Sequence, residues 1–214
     1  MKPIIYLLLL FPISVFAQKT NDIINVRVGY NSTNILFKEA LELEAPLKFF
    51  KGILHTGKIF DADGPEIGIS KNISNKLFAE VSFSPFSGKE KTMINNNENY
   101  YTLKGFFLPV TVNYLTGAET KRLRVNLGGG VQYLDGHLKQ YEVTSSGSGQ
   151  ATNKLTDIKI SEFQFALRPG LQYRIIPDLY ASFLANLGVS TNGRLSDHPS
   201  LSVKYTIRKK TKIE

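Results

Sequence analysis

Residues 161–190 read SEFQFALRPGLQYRIIPDLYASFLANLGVS. Every second residue from Phe163 onward is apolar: Phe163, Phe165, Leu167, Pro169, Leu171, Tyr173 and Ile175. Between them stand Glu162, Gln164, Ala166, Arg168, Gly170, Gln172 and Arg174, all polar or small. A repeat of two is the signature of a strand with one apolar face. Ile176-Pro177-Asp178 interrupts the run with turn chemistry. The repeat then resumes through Leu179, Ala181, Phe183, Ala185, Leu187 and Val189. The stretch predicts a β-hairpin with arms longer than the usual five or six residues. A tilted strand needs about 9–11 residues to cross the hydrocarbon layer. The hairpin is therefore expected to be one quarter of a small outer-membrane barrel.

The same rhythm recurs along the chain. Strands are expected over 23–31, 65–71, 76–84, 100–115, 122–134, 161–175, 178–190 and 200–207. Eight is an even number, as antiparallel closure prefers. Connections after the second, fourth and sixth strands are short. Those after the first, third, fifth and seventh are longer, which puts both chain ends in the periplasm. The fold class expected is all-β: an eight-stranded antiparallel up-and-down transmembrane β-barrel. Its long first outer loop, 32–64, includes FKEALELEAPLKFF (37–50), read as a short helix or a lid. Residues 135–157 are read as a second long loop, mobile around SSGSGQ (145–150).

The N-terminus agrees with export. Lys2 precedes an apolar run from Ile4 to Phe16, and Val15-Phe16-Ala17 supplies small residues at a cleavage site before Gln18. This reads as a signal peptide over 1–17, followed by one barrel domain over 18–214. With no cysteine, neither disulfides nor thiolate chemistry is available. The net charge of +8 comes from scattered basic residues. In an exported chain it suits anionic lipid headgroups rather than nucleic acid.

A soluble lipocalin-like barrel would show the same alternation with the apolar face inward. Three features favour the membrane. The polar face is rich in glycine and serine, which leaves room in a narrow lumen for long side chains opposite. Aromatic residues of the apolar face gather at strand ends, as interfacial girdles do: Tyr114, Tyr173 and Tyr205 at one rim, Tyr30, Phe83, Tyr133 and Phe163 at the other. The loop lengths alternate. The lumen is expected to hold Arg27, Glu66, Glu80, Arg122, Arg124, Glu162, Arg168, Arg174 and Lys204. An eight-stranded interior is only wide enough for side chains, and buried charges must pair. These residues are read as a salt-bridge network that plugs the barrel.

The chain resembles the small eight-stranded outer-membrane barrels of OmpA/OmpX-type architecture, in the version grouped as PorT-like or outer membrane protein β-barrel domain proteins. The resemblance rests on Phe16-Ala17-Gln18, FFLPVTVNY (106–114), VNLGGGVQY (125–133) and PGLQY (169–173), and it spans about 23–207. The class ends on a strand of the pattern polar-x-Gly-x-x-aromatic-x-aromatic. Here Tyr205 fits, Ser202 stands for the glycine and Ile207 for the last aromatic. The resemblance implies an outer-membrane address in a Gram-negative envelope and an accessory role in a secretion or envelope complex.

No catalytic constellation, metal site or cofactor is expected. His55, His137 and His198 all fall in expected outer loops without metal-ligand spacing. Asp61, Asp63 and Glu66 lack the full calcium-loop pattern and read as a turn. His137 with Ser145 and Ser146 is a far weaker candidate for lipid cleavage than for a solvated loop. Two functions remain. One is a non-enzymatic, monomeric barrel that contacts outer-membrane lipid, and a protein partner or surface through loops 32–64 and 135–157. The other is a barrel that binds a small ligand or lipid.

Overall fold

A computed structural model describes residues 23–37, 58–94, 97–118, 121–146 and 149–208. The expected signal peptide, His55 and nearly all of the expected helix or lid lie outside these residues.

Eight strands form one closed antiparallel barrel in chain order: β1 (Ile23–Phe37), β2 (Lys58–Asn72), β3 (Leu77–Ile94), β4 (Asn97–Leu115), β5 (Leu123–Ser146), β6 (Gly149–Ile176), β7 (Leu179–Ser190) and β8 (Leu195–Arg208). Closure is made by β1 against β8, from Ile23 opposite Arg208 to Ile35 opposite Ser196. The strands are tilted. One cross-strand row runs Val26, Ile69, Val81, Val110, Val131, Phe165, Val189 and arrives at Leu195 on β8. Val26 itself pairs Tyr205, ten residues further along β8. A fixed stagger of this kind closes a twisted sheet on itself.

The alternation has the orientation of a membrane barrel. Val28, Ile67, Phe165, Leu167, Phe183, Leu201 and Val203 point outward and are exposed. Arg27, Glu66, Glu80, Arg168, Gln132 and Asn186 point inward and are buried. A lipocalin-like barrel would have these two sets exchanged. No helix among the described residues is long and apolar enough to cross a membrane, which is silent on strands.

The strands differ from expectation in length. Residues 32–37, 58–64, 85–94, 97–99, 135–146 and 149–157, expected as loop, continue the sheet. The cause is a change of parity. On β5 the apolar residues up to Tyr133 face outward. Beyond it Leu134 and Leu138 face inward, while Asp135, His137 and Lys139 face outward. On β4, Tyr101, Leu103 and Phe107 face inward, while Phe106, Leu108 and Val110 face outward. The repeat of two never stops, but the apolar residues switch faces where the wall leaves lipid for water. The outer section then packs like a soluble protein, around Ile35, Phe60, Ala62, Phe86, Tyr101, Leu103, Phe107, Leu134, Leu138 and Ile160.

Tight turns join the strands at the other end. Between β6 and β7, Asp178 takes the left-handed conformation (φ 69°), and its carbonyl accepts from the Thr206 N–H at 2.8 Å.

Candidate functional site

Buried side chains project into the lumen in layers set by alternate residues. At the short-turn end the Thr206 hydroxyl donates to Asn25 Oδ1 (2.8 Å), and the Asn25 amide donates to Ser70 Oγ (3.1 Å). In the middle lie four charges. Arg27 from β1 donates through both terminal nitrogens to Glu66 of β2, each at 2.6 Å. It also donates through Nη2 (2.7 Å) and Nε (3.0 Å) to Glu80 Oε1 of β3. Arg168 of β6 reaches across the barrel, its Nη2 lying 2.7 Å from Glu80 Oε1 and 3.7 Å from Glu66 Oε1. A two-pronged guanidinium–carboxylate contact fixes geometry as well as charge. All four side chains are buried, and two cations balance two anions.

Glycine makes the room. A Cβ at Gly68 would lie 3.3 Å from both Arg27 Nη2 and Glu80 Oε1, and 3.1 Å from the Ser82 Cβ. The next layer outward is amide-rich. Gln132 Nε2 donates to Gln164 Oε1 at 2.7 Å, and Ser196 donates to the same oxygen at 2.6 Å. A Cβ at Gly188 would strike these three side chains. Above them the His198 ring stacks on Phe107 at 3.9 Å between centroids. The apolar outer core closes the interior.

The remaining charges expected in the lumen sort by position. Arg124 and Lys204 are buried toward the short-turn end, and the Lys204 ammonium lies 5.1 Å from the rings of Phe78 and Tyr180. Arg174 is half-buried near the same end. Glu162 sits in the outer half, where the Arg194 Nε approaches it at 3.3 Å. Arg122 is a correction: it precedes β5, is exposed, and takes no place in the lumen. Arg194 was not expected, because a lone cation in the turn before β8 has no period to mark it.

His198 is also a correction. It belongs to β8, not to a loop, and is fully buried, with Nδ1 3.1 Å from Thr33 Oγ1 and Nε2 3.2 Å from Ser196 Oγ. Its neighbours are hydroxyls and a phenyl ring, not metal ligands or a nucleophile with a base. His137 lies on the outer wall of β5, 2.5 Å from Asp157 Oδ1. Asp61 does not close a calcium loop. Its Oδ1 accepts from the Tyr101 hydroxyl at 2.7 Å, and Glu90 Oε2 lies 2.9 Å from that hydroxyl. Burial, with Asp61 and Glu90 beside it, pushes the Tyr101 phenol far up. Among the described residues no group of three or more His, Cys, Asp and Glu could hold a metal.

The aromatic residues expected at the two rims face outward. Four form a continuous belt across β3–β6: Phe83 to Phe106 (5.4 Å between centroids), Phe106 to Tyr133 (6.0 Å) and Tyr133 to Phe163 (5.1 Å). Phe106 completes it and was not among the residues expected there. Tyr30 stands apart on β1, exposed. Tyr114, Tyr173 and Tyr205 are exposed toward the short-turn end.

No protein-family model matches the sequence, and no curated protein is similar to it. Solved structures are. The outer membrane protein OprG of Pseudomonas aeruginosa superposes with a TM-score of 0.53 at 10% identity, over 87% of this chain and 96% of that one. Neisserial surface protein A superposes with a TM-score of 0.50 at 10% identity, over 85% and 96%. At these identities the likeness speaks for the fold alone. The chain has the fold of the small outer-membrane β-barrels, eight strands up and down in one closed ring.

Proposed function

We propose that this protein is a non-enzymatic, integral outer-membrane β-barrel of a Gram-negative envelope, with a lumen plugged by its own side chains. It acts structurally, or through its outer section on a partner or surface. The observation that carries the reading is the orientation of the wall: apolar residues are exposed on the outside while Arg27, Arg168, Glu66 and Glu80 are sealed within. In water that arrangement would be costly twice over, through exposed apolar surface and through buried charge. In lipid the first cost disappears. The plug leaves the lumen no site for substrate, and the buried histidine has no catalytic neighbours.

The resemblance to PorT-like proteins supports an accessory place in a secretion or envelope complex. The wall of β3–β6 beyond the aromatic belt is the surface it would offer. Cleavage after Ala17 and insertion as a monomer complete the proposal.

Membrane fractionation with gel mobility tests it. The processed chain is expected in the outer-membrane fraction and to migrate faster unheated than boiled. Recovery as a water-soluble monomer without detergent would overturn the reading.

A further inference from the structure

The outer wall is electrostatically lopsided. Immediately beyond the belt of Phe83, Phe106, Tyr133 and Phe163, the outward positions of β3–β6 carry lysine. The register places Lys104 beside His137, and His137 beside Lys159, in one cross-strand row. In the next row outward Lys89 pairs Thr102, and Thr102 pairs Lys139. Lys89, Lys104 and Lys159 are exposed, and Lys139 is half-exposed. None of the four is in an ion pair among the described residues. The neighbouring pairs, Lys91 with Glu98 and Lys154 with Asp157, are made by other lysines. On the opposite half of the barrel the outward positions at this end include Ser32, Asn34 and Asp63, with no cation among the described outward side chains.

Distance along the strand ties the lysines to the interface. Lys104 is two residues from Phe106, and Lys159 is four from Phe163. At about 3.3 Å per residue these positions lie roughly 7 and 13 Å beyond the belt. Strand tilt shortens that height, and a lysine stem spans the remainder. Phosphate groups of a bilayer lie in that zone, just outside the hydrocarbon layer. Two acids adjoin the lysines: Asp135, facing outward opposite Phe106 and Ser161 beside the row of Lys104 and Lys159, and Asp157, opposite Lys139 and already engaged by His137 and Lys154.

We infer that this face of β3–β6 is a binding site for the phosphate of an outer-leaflet lipid headgroup, held between Lys104 and Lys159 with Lys89 and Lys139 above. The site rests on the membrane reading above, and it explains why the cations concentrate on one side of the wall. A lipid supplies the phosphate at fixed height, with its chains against Phe106 and Phe163. The Asp135 carboxylate opposes the bound anion and limits its affinity.

The test uses the full chain in phosphatidylcholine nanodiscs doped with bisphosphorylated lipid A, or with the same lipid after phosphatase treatment. Native mass spectrometry reads the lipid retained. Gel mobility before and after heating reports whether each variant is folded. The wild type should retain the phosphorylated lipid and not the dephosphorylated one. Each lysine removed should weaken retention about fivefold, so K104Q with K159Q loses about 25-fold. D135N should strengthen it severalfold, and K91Q should change little. Equal retention by the wild type and the folded double variant would overturn the site, as would retention that ignores the phosphates. Displacement of the lipid by millimolar inorganic phosphate would overturn its assignment to lipid. A chain that never enters the disc overturns the membrane reading as well, so the two failures are distinguishable.

Discussion

Arg27 shows how much one side chain holds. It makes four short contacts to two carboxylates on neighbouring strands, so it fixes β1 against β2 and β3 at once. Without it, Glu66 and Glu80 would face each other inside the barrel with Arg168 as the one cation left within 4 Å among the described residues. Removing one partner of a buried ion pair costs about 3–5 kcal/mol, because the group left behind is an uncompensated charge. Arg27→Met keeps the volume and should destabilise by that amount, read by urea unfolding in lipid vesicles. Replacing Arg27 together with Glu66 or Glu80 by neutral residues should recover much of the loss. If the single variant unfolds at the wild-type urea concentration, the tetrad is not what fastens the wall. Arg27, Glu66, Glu80 and Arg168 were legible in the sequence as charges on the polar side of a repeat of two. Their grouping was not, because it depends on the stagger, which brings residues from β1, β2, β3 and β6 to one height.

At the scale of the element, the outer β5–β6 hairpin has a feature that no regular strand can have. Lys154 and Asp157 are three apart, so their side chains should lie on opposite faces, yet they pair at 2.8 Å. The bulge reconciles them. Gln140 pairs Thr156 and Tyr141 pairs Lys154, which leaves Leu155 unpaired and turns the parity over. Lys154 and His137 then hold the Asp157 carboxyl below its usual range. The sign follows from the direction. A depressed carboxyl stabilises the fold above its unfolded value, near 3.8, and that contribution is lost as pH falls below it. Hydrogen exchange should therefore show the outer part of this hairpin losing protection progressively as pH falls below about 4. In Asp157→Asn that pH dependence should vanish while the membrane-spanning half of β6 is unaffected. Identical profiles for the two proteins would remove the carboxylate from the account. The hairpin also shows where sequence reading stops. The period of two from Phe163 to Ile175 placed the membrane half of β6 within a residue. The outer half does not show as strand in the sequence, because its apolar residues change faces and a bulge shifts the count at Leu155.

At the scale of the molecule, one closed sheet encloses two different interiors. The membrane section has a polar, charge-balanced lumen inside an apolar wall. The outer section has an apolar core inside a polar wall. The sheet is continuous through both, so the interior is blocked in two places by unlike means: the tetrad around Arg27, and the cluster of Ile35, Phe60, Leu103, Phe107, Leu134 and Leu138. An ion entering from outside would have to cross a dry apolar plug, where an unpaired charge costs several kcal/mol. Beyond the plug it would meet carboxylates already satisfied by arginine. The wild type in a planar bilayer is therefore expected to pass no stable current. Neutralising the tetrad alone should not open it, because the outer plug remains. Shortening the plug, for example with Phe107→Ala and Leu134→Ala together, should not open it either, since Arg27 and Arg168 still fill the centre. Only the combined variant is expected to show discrete openings, provided its heat-modifiable mobility confirms a folded barrel. A large steady conductance from the wild type would mean that the packed interior gives way in the membrane, and would refute the sealed barrel.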